Sequence, residues 1–321
     1  LCIWNNQIQL PEMSLNSFAR EHAGQIAATI GLVTFALAKN KLTPGGIVVA
    51  VVVATVHMLD PYPVFFWLLV PFFLLGVLVT KIGHAEKARL TKSSDGSAGG
   101  EGPRGWMQVV ANGGVASVLI ALHTFLSASS PFMSPRAGVW PGVHAPVLQR
   151  LLPIGIIAHY GAVAADTFGS ELGILAKSTP VLVTAPWRKV PRGTNGGITI
   201  EGLSYGLLAS FLITCIAYVG TYAMPPYKAM DIRTAALVCG MGVFGSVLDS
   251  FLGATVQATV TDRGSGKVVE GTGGQRVKVL DGGSRVQLGR DILTNNGVNL
   301  AMAALTSLFA MGAAYMLDLS L

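Results

Sequence analysis

Two aspartates stand in stretches that otherwise hold no charge. Asp166 follows the apolar run "LLPIGIIAHYGAVAA", and Asp249 sits inside "GMGVFGSVLDSFLGATVQ". Ionised side chains in such surroundings are costly and usually mark a working cavity. On the second stretch Gly242, Ser246, Asp249, Gly253 and Gln257 recur every three or four residues, giving one small, polar stripe on a helix. Amides add two more clusters: Gln108 with Asn112 in "QVVANGG", and Asn295, Asn296 and Asn299 in "LTNNGVN". A basic, Gly-rich segment follows Asp166 and supplies Lys177, Arg188, Lys189 and Arg192, then Gly193, Thr194, Asn195, Gly196 and Gly197. Cations beside flexible backbone amides suit a polyphosphate. Neither a P-loop nor a GxGxxG pattern is present, so any cradle is of another kind. Carboxylates that hold Mg²⁺ beside groups that hold phosphates describe a nucleotide site for phosphoryl transfer.

The elements that must position these residues are membrane helices. Only 12% of the 321 residues are charged, 51% are hydrophobic, and apolar runs near 20 residues alternate with short polar loops. The expected fold is an all-α polytopic membrane protein. Its eight helices fall near 23–38, 45–59, 63–80, 107–127, 148–168, 203–223, 233–258 and 298–317. Residues 1–22 form an N-terminal non-cytosolic segment without a signal-peptide pattern, and 23–321 a single membrane domain. Seventeen of the 22 Lys and Arg fall in loops 39–44, 81–106, 169–202 and 259–297, which the positive-inside rule places in the cytosol. The net charge of +6 is thus a topology signal and not a nucleic-acid patch. All the polar clusters abut this one face.

Local expectations follow. Glu171 lies five residues from Asp166, about 140° around a helix, so the two carboxylates converge only if the helix breaks near Gly169. "DGGS" between Val277, Val279 and Val286, Leu288 predicts a small cytosolic β-hairpin. The middle of loop 81–106 is Ser/Gly-rich and reads as mobile. Asp60 and Asp318 read as solvated ends, and Cys2, Cys215 and Cys239 as packing residues without metal or disulfide spacing. Several site residues also have a plainer reading. Gly242, Gly245 and Gly253 suit close helix packing, Asn112 an interhelical bond, Asn296 a cap, and Lys177 and Lys189 topology alone.

"QVVANGG", "ADTFGSELG", "VPRGTNGGIT", "GSVLDSFLGATVQ" and "LTNNGVN" occur in this order. Together they resemble the integral-membrane family of transmembrane protein 19 and the plant phytyl-phosphate kinase, over roughly residues 40–317. That family is distantly similar to dolichol kinase and CDP-diacylglycerol synthase. The resemblance implies a CTP- and Mg²⁺-dependent kinase acting on a polyprenyl or phytyl monophosphate at the cytosolic face. The membrane would be that of the endoplasmic reticulum, or alternatively the plastid envelope. It casts Asp166 and Asp249, helped by Glu171, as catalytic, with the metal on the two aspartates. Lys177, Arg192 and Gly193 to Gly197 would bind the nucleotide phosphates. Asn112, Gln257, Asn295, Asn296 and Asn299 would orient the acceptor. Cytidylyl transfer, cation- or proton-coupled transport, and a non-catalytic lipid-binding scaffold are the rival readings.

Overall fold

The computed structural model describes residues 15–94, 102–127, 145–224 and 228–321. Ten helices carry it: α1 (Leu15–Glu21), α2 (Ala23–Ala38), α3 (Pro44–Leu59), α4 (Val64–Lys81), α5 (His84–Leu90), α6 (Trp106–Leu126), α7 (Ala145–Gly173), α8 (Ile200–Ala223), α9 (Ile232–Val256) and α10 (Asn295–Met316). Six of them, α4 and α6 to α10, are long and apolar enough to cross a membrane. The 16-residue helices α2 and α3 are apolar but shorter. At 1.5 Å per residue each spans roughly 24 Å, less than a hydrocarbon core of about 30 Å.

Short polar side chains start the helices. Thr43, Thr199, Asp231 and Thr294 each accept a hydrogen bond from the amide three residues on, at 2.7–3.2 Å. Helix α7 is the axis of the bundle. It is buried nearly all round, packs against α4, α6, α8, α9 and α10, and buries Ile154, Ile156, Ile157 and Tyr160 almost completely. The outer helices instead expose Leu207, Phe211, Val219 and Phe309, as lipid-facing surfaces do.

The expected break at Gly169 does not occur, and α7 stays helical to Gly173. Its glycines let α8 come close. A Cβ on Gly173 would stand 3.1 Å from Gly202 Cα, and one on Gly169 3.3 Å from the Gly202 carbonyl. The same device joins α7 to α9, where a Cβ on Gly242 would overlap Ser210 and reach within 3.0 Å of the Gly161 carbonyl carbon. The packing reading therefore holds for Gly242, and equally for Gly245 against Ala162.

Two small sheets lie at the basic-loop end. Strands β1 (Lys92–Ser93), β5 (Thr259–Asp262), β6 (Val268–Glu270) and β7 (Arg285–Leu288) form one, in the order β1-β6-β5-β7. Strands β2 (Val181–Leu182), β3 (Ala185–Lys189) and β4 (Gly197–Ile198) form the other, in the order β3-β2-β4. The 259–297 insertion is thus a β cap, but its pairing differs from the expected hairpin. Val286 and Leu288 pair with Thr261 and Thr259, while Val277 and Val279 are in no strand. The more regular partner is the β-branched run "TVTD", which also pairs with β6. The sheet in the basic loop has no counterpart in the sequence reading. The Ser/Gly-rich middle of loop 81–106 and Cys2 lie outside the described residues.

The four basic loops gather at one end. Thr43 and Arg104 join the first two, Lys92–Asp262 at 2.7 Å the second and fourth, and Asn195–Thr259 the third and fourth. At the other end, Asp318 is exposed as expected. Asp60 is not a solvated end. Its buried carboxylate accepts hydrogen bonds from Tyr62 N, His123 Nδ1 and Thr124 Oγ1, each at 2.8 Å, and so ties the end of α3 to that of α6.

Candidate active site

A cavity of about 800 Å³ opens at the basic end, between the bundle and the β cap. Four helices bring the amide and carboxyl groups into it. Asp166 on α7 and Asp249 on α9 each stand seven residues before their helix ends, about 10 Å inside at 1.5 Å per residue. Asn112 lies on the second turn of α6, and Asn295, Asn296 and Asn299 on the first turns of α10. The close α7–α9 packing brings the Asp166 and Asp249 carboxyl groups within hydrogen-bonding distance of each other. With its nitrogen turned to Asp249, the Asn299 amide donates to Oδ1 at 3.2 Å and to the Asn295 carbonyl at 3.0 Å. Gln257 Nε2 reaches Asn295 Oδ1 at 3.4 Å. Asn296 instead donates to the Gly273 carbonyl at 2.9 Å and fastens the cap to α10. The cap of α10 is Thr294, so Asn296 is not the capping residue.

The Gly-rich loop forms the wall beside Asp249. Gly196 has φ +78°, and a Cβ there would overlap Ala254 and stand 2.7 Å from the Ser250 carbonyl, so only glycine fits. Asn195 anchors the loop through its amide to Thr259 Oγ1 at 3.1 Å and its Nδ2 to the Ala258 carbonyl at 2.8 Å. The cradle is narrower than the sequence implied. Thr194 N, Asn195 N and Gly197 N are used within the protein. Among the described residues, those of Gly193 and Gly196 make no hydrogen bond.

Every residue to which the resemblance gives a role lines this cavity except Lys177, which is exposed beyond the end of α7; Arg188 and Lys189 of the basic segment are exposed and do not line it either. Three lining residues have other work. Arg192 donates from Nη1 to the carbonyls of Ile174 and Ala176 and from Nη2 to Lys177 O, satisfying the chain as it leaves α7. It positions the Gly-rich loop. Because α7 is unbroken, Glu171 points away from Asp166 and forms a buried ion pair with Lys87. Lys87 also donates to the carbonyls of Val79 and Thr80 at the end of α4. Gln108 accepts from Gly105 N at 3.0 Å and caps α6.

Sequence reasoning missed His84, Lys87, Arg104 and Arg276, which also line the cavity. Their loops were read as topology signals, and the visible clue was "HAEKARL", a short helix with Glu86 in its first turn. Among the described residues, no cluster of three or more His, Cys, Asp or Glu could hold a metal. The donor set is two carboxylates with an amide beside them. It suits Mg²⁺, which takes one or two protein carboxylates and completes its shell from water and substrate phosphates.

Comparisons with known proteins complete the description. The chain is 32% identical to Protein PGR of Arabidopsis thaliana over 284 residues, 86% of this chain and 90% of that protein. It is 32% identical over 187 residues to an uncharacterized membrane protein of Methanocaldococcus jannaschii, covering 58% of this chain and 63% of the relative. With Protein VTE6, chloroplastic, of Arabidopsis thaliana it shares 25% identity over 192 residues, 60% of this chain and 49% of that protein. No solved structure matches. The profile of the integral membrane protein family DUF92 covers residues 27–307. The five ordered motifs and this nearly full-length match agree, and the chain is a member of the DUF92 family of integral membrane proteins.

Proposed function

We propose that the protein is a lipid-phosphate kinase that transfers the γ-phosphate of CTP to an isoprenoid monophosphate, polyprenyl or phytyl, at the cytosolic membrane face. The observation that carries this reading is the contact of Asp166 with Asp249 in one cavity, walled by the Gly-rich loop. Carboxyl groups in contact at this depth repel unless a proton or a cation lies between them. Mg²⁺ on Asp166 and Asp249 would neutralise the nucleotide phosphates. The amides of Gly193 and Gly196 offer donors to those phosphates, and Arg192 holds the loop in place. The α10 N-terminus, with its dipole and Asn295 and Asn296, faces the same space and suits an anionic acceptor. Asn112 and Asn299 complete the polar wall.

In the reaction an acceptor phosphate oxygen attacks the γ-phosphorus. The bond from that phosphorus to the β-bridging oxygen breaks, giving a lipid diphosphate and CDP. A phosphate monoester is already anionic, so catalysis rests on positioning and charge neutralisation. The lipid tail would lie between helices, with α2 and α3 completing eight crossings of the endoplasmic-reticulum membrane.

The test is incubation of purified protein with CTP or ATP, Mg²⁺ and a panel of prenyl monophosphates. Formation of a lipid diphosphate supports the reading. Mg²⁺-dependent nucleotide binding without any lipid product counts against it, and absence of nucleotide binding favours the transporter or scaffold.

A further inference from the structure

Among the described residues that line the large cavity, two large apolar side chains stand exposed: Trp106 at 53% and Met107 at 36%, adjacent on the first turn of α6. Elsewhere on the wall Ile174, Ile198, Leu203, Val277 and Leu293 are half-buried, and Val260, Val268 and Val269 are buried. The apolar lip is held against the start of α3 by backbone. Arg104 N donates to Lys41 O at 3.0 Å, and Thr43 N to Arg104 O at 3.1 Å. The Trp106 ring lies over Gly45, where a Cβ would stand 3.7 Å from its Cδ1.

Helix phase divides α6 lengthwise. Gly113 faces α3, since a Cβ there would stand 3.4 Å from Val53. Gln108 and Asn112 face the cavity. Val115 packs on the cluster that Met302 and Ala303 of α10 form with Ala162 and Val163 of α7. Between these sides Met107, Gly114, Val118, Leu122 and Phe125 recur at spacings of seven, four, four and three, which is one outward strip. Val118, Leu122 and Phe125 are exposed on it. A Cβ on Gly114 would meet only Val110 of the same helix, at 3.2 Å, so Gly114 is a notch in the strip with no second helix against it among the described residues. From Met107 to Val118 the strip runs about 16 Å at 1.5 Å per residue, roughly half the depth of a hydrocarbon core.

A polar cavity with one apolar lip open to lipid suits an amphipathic ligand. Its charged head belongs with the carboxyl and amide groups inside, and its hydrocarbon part costs least where the wall is itself apolar. Met adapts to chains of varied shape. Trp sits at the membrane–water boundary with its apolar ring toward lipid.

We propose that the cavity opens sideways into the bilayer over Trp106 and Met107, and that the tail of a prenyl or phytyl phosphate leaves by this lip and lies along the outward strip of α6, across Gly114. The proposal rests on the reading of the cavity as a lipid-phosphate site and names its tail subsite.

Photolabelling of the full chain in nanodiscs tests it, with a farnesyl monophosphate analogue that carries a diazirine in its tail and with adducts mapped by mass spectrometry. The expected adducts fall within residues 106–118, and excess unlabelled farnesyl monophosphate removes them. Gly114→Leu fills the notch and should lower this competed labelling severalfold. Trp106→Ala, which adds no bulk, should lower it in the same direction. Gly312→Leu, at an exposed glycine of α10 with nothing within 4 Å, should leave it unchanged. The same preparations are assayed for lipid diphosphate with CTP and Mg²⁺. Competed adducts on α6 that respond to Gly114→Leu, without any diphosphate, uphold the tail subsite and count against the kinase. Diphosphate formed while the competed adducts map to α8 or α9 overturns the tail subsite and leaves the kinase standing. Adducts spread over all the lipid-facing helices and insensitive to the competitor also overturn it, as does labelling that neither Gly114→Leu nor Trp106→Ala alters.

Discussion

At the scale of single residues, the charges divide into those that meet substrate and those that hold the walls. In the proposed kinase, Asp166 and Asp249 belong to the first group. Asp166→Asn and Asp249→Asn are each expected to lower lipid diphosphate formation by about 10²–10³-fold, the scale of losing one group that stabilises transition-state charge. Both variants should express and melt like the wild type, which separates a chemical from a structural role. Glu171 belongs to the second group. Glu171→Gln strips Lys87 of its counter-ion but leaves the Val79 and Thr80 carbonyls as acceptors. The expected cost is about 2 kcal/mol, below that of orphaning a fully buried charge, and thermal unfolding in detergent measures it. Residual activity should survive in the folded fraction. The spacing from Asp166 to Glu171 was legible in the sequence, and so was the condition under which the pair would converge. What decided the matter was the face-to-face packing of Gly169 and Gly173 on Gly202, which no local pattern reveals.

At the scale of elements, the eight long helices were legible because their apolar runs and charge-bearing loops agree, whereas the seven-residue α1 and α5 were not. The equal depth of Asp166 and Asp249 follows from their equal distance to the helix ends. The short strands were not legible. β2 and β4 have two residues each, and their pairing depends on contacts across the loop rather than on alternation. Arg192 likewise looked like a phosphate ligand because its sequence neighbours are glycines, whereas the carbonyls it serves lie 15–18 residues earlier. Gly196→Ala tests the wall element. It imposes a side chain at φ +78° and against Ala254, so the variant should lose roughly 2–3 kcal/mol and bind nucleotide more weakly. The cap offers a pH test. The Lys92 ammonium first, and the Ser265 hydroxyl second, hold the Asp262 carboxyl down at about 2. A carboxyl lowered on folding stabilises above its unfolded value, about 3.9, and that contribution disappears as pH falls through about 2. Hydrogen exchange at Val260 and Val269 should therefore quicken between roughly pH 4 and pH 2, beyond the ordinary pH dependence of exchange. Lys92→Met should flatten that added response.

At the scale of the whole molecule, four basic loops converge on one end, and with them the C-termini of α2, α4, α7 and α9 and the N-termini of α3, α6, α8 and α10. The opposite end is closed by Asp60 with His123 and by Lys228 with Ser320. That polarity gives the cavity access from one side and makes α7 the rod on which both carboxylates are set. The same architecture would serve attack at the α-phosphorus, so the position of transfer is the central claim. The most direct measurement incubates purified protein, Mg²⁺ and a prenyl monophosphate with CTP labelled either at the α- or at the γ-phosphorus. The account predicts γ-label in the lipid product and α-label left in CDP. Alpha-label in the lipid, with release of pyrophosphate, would contradict it.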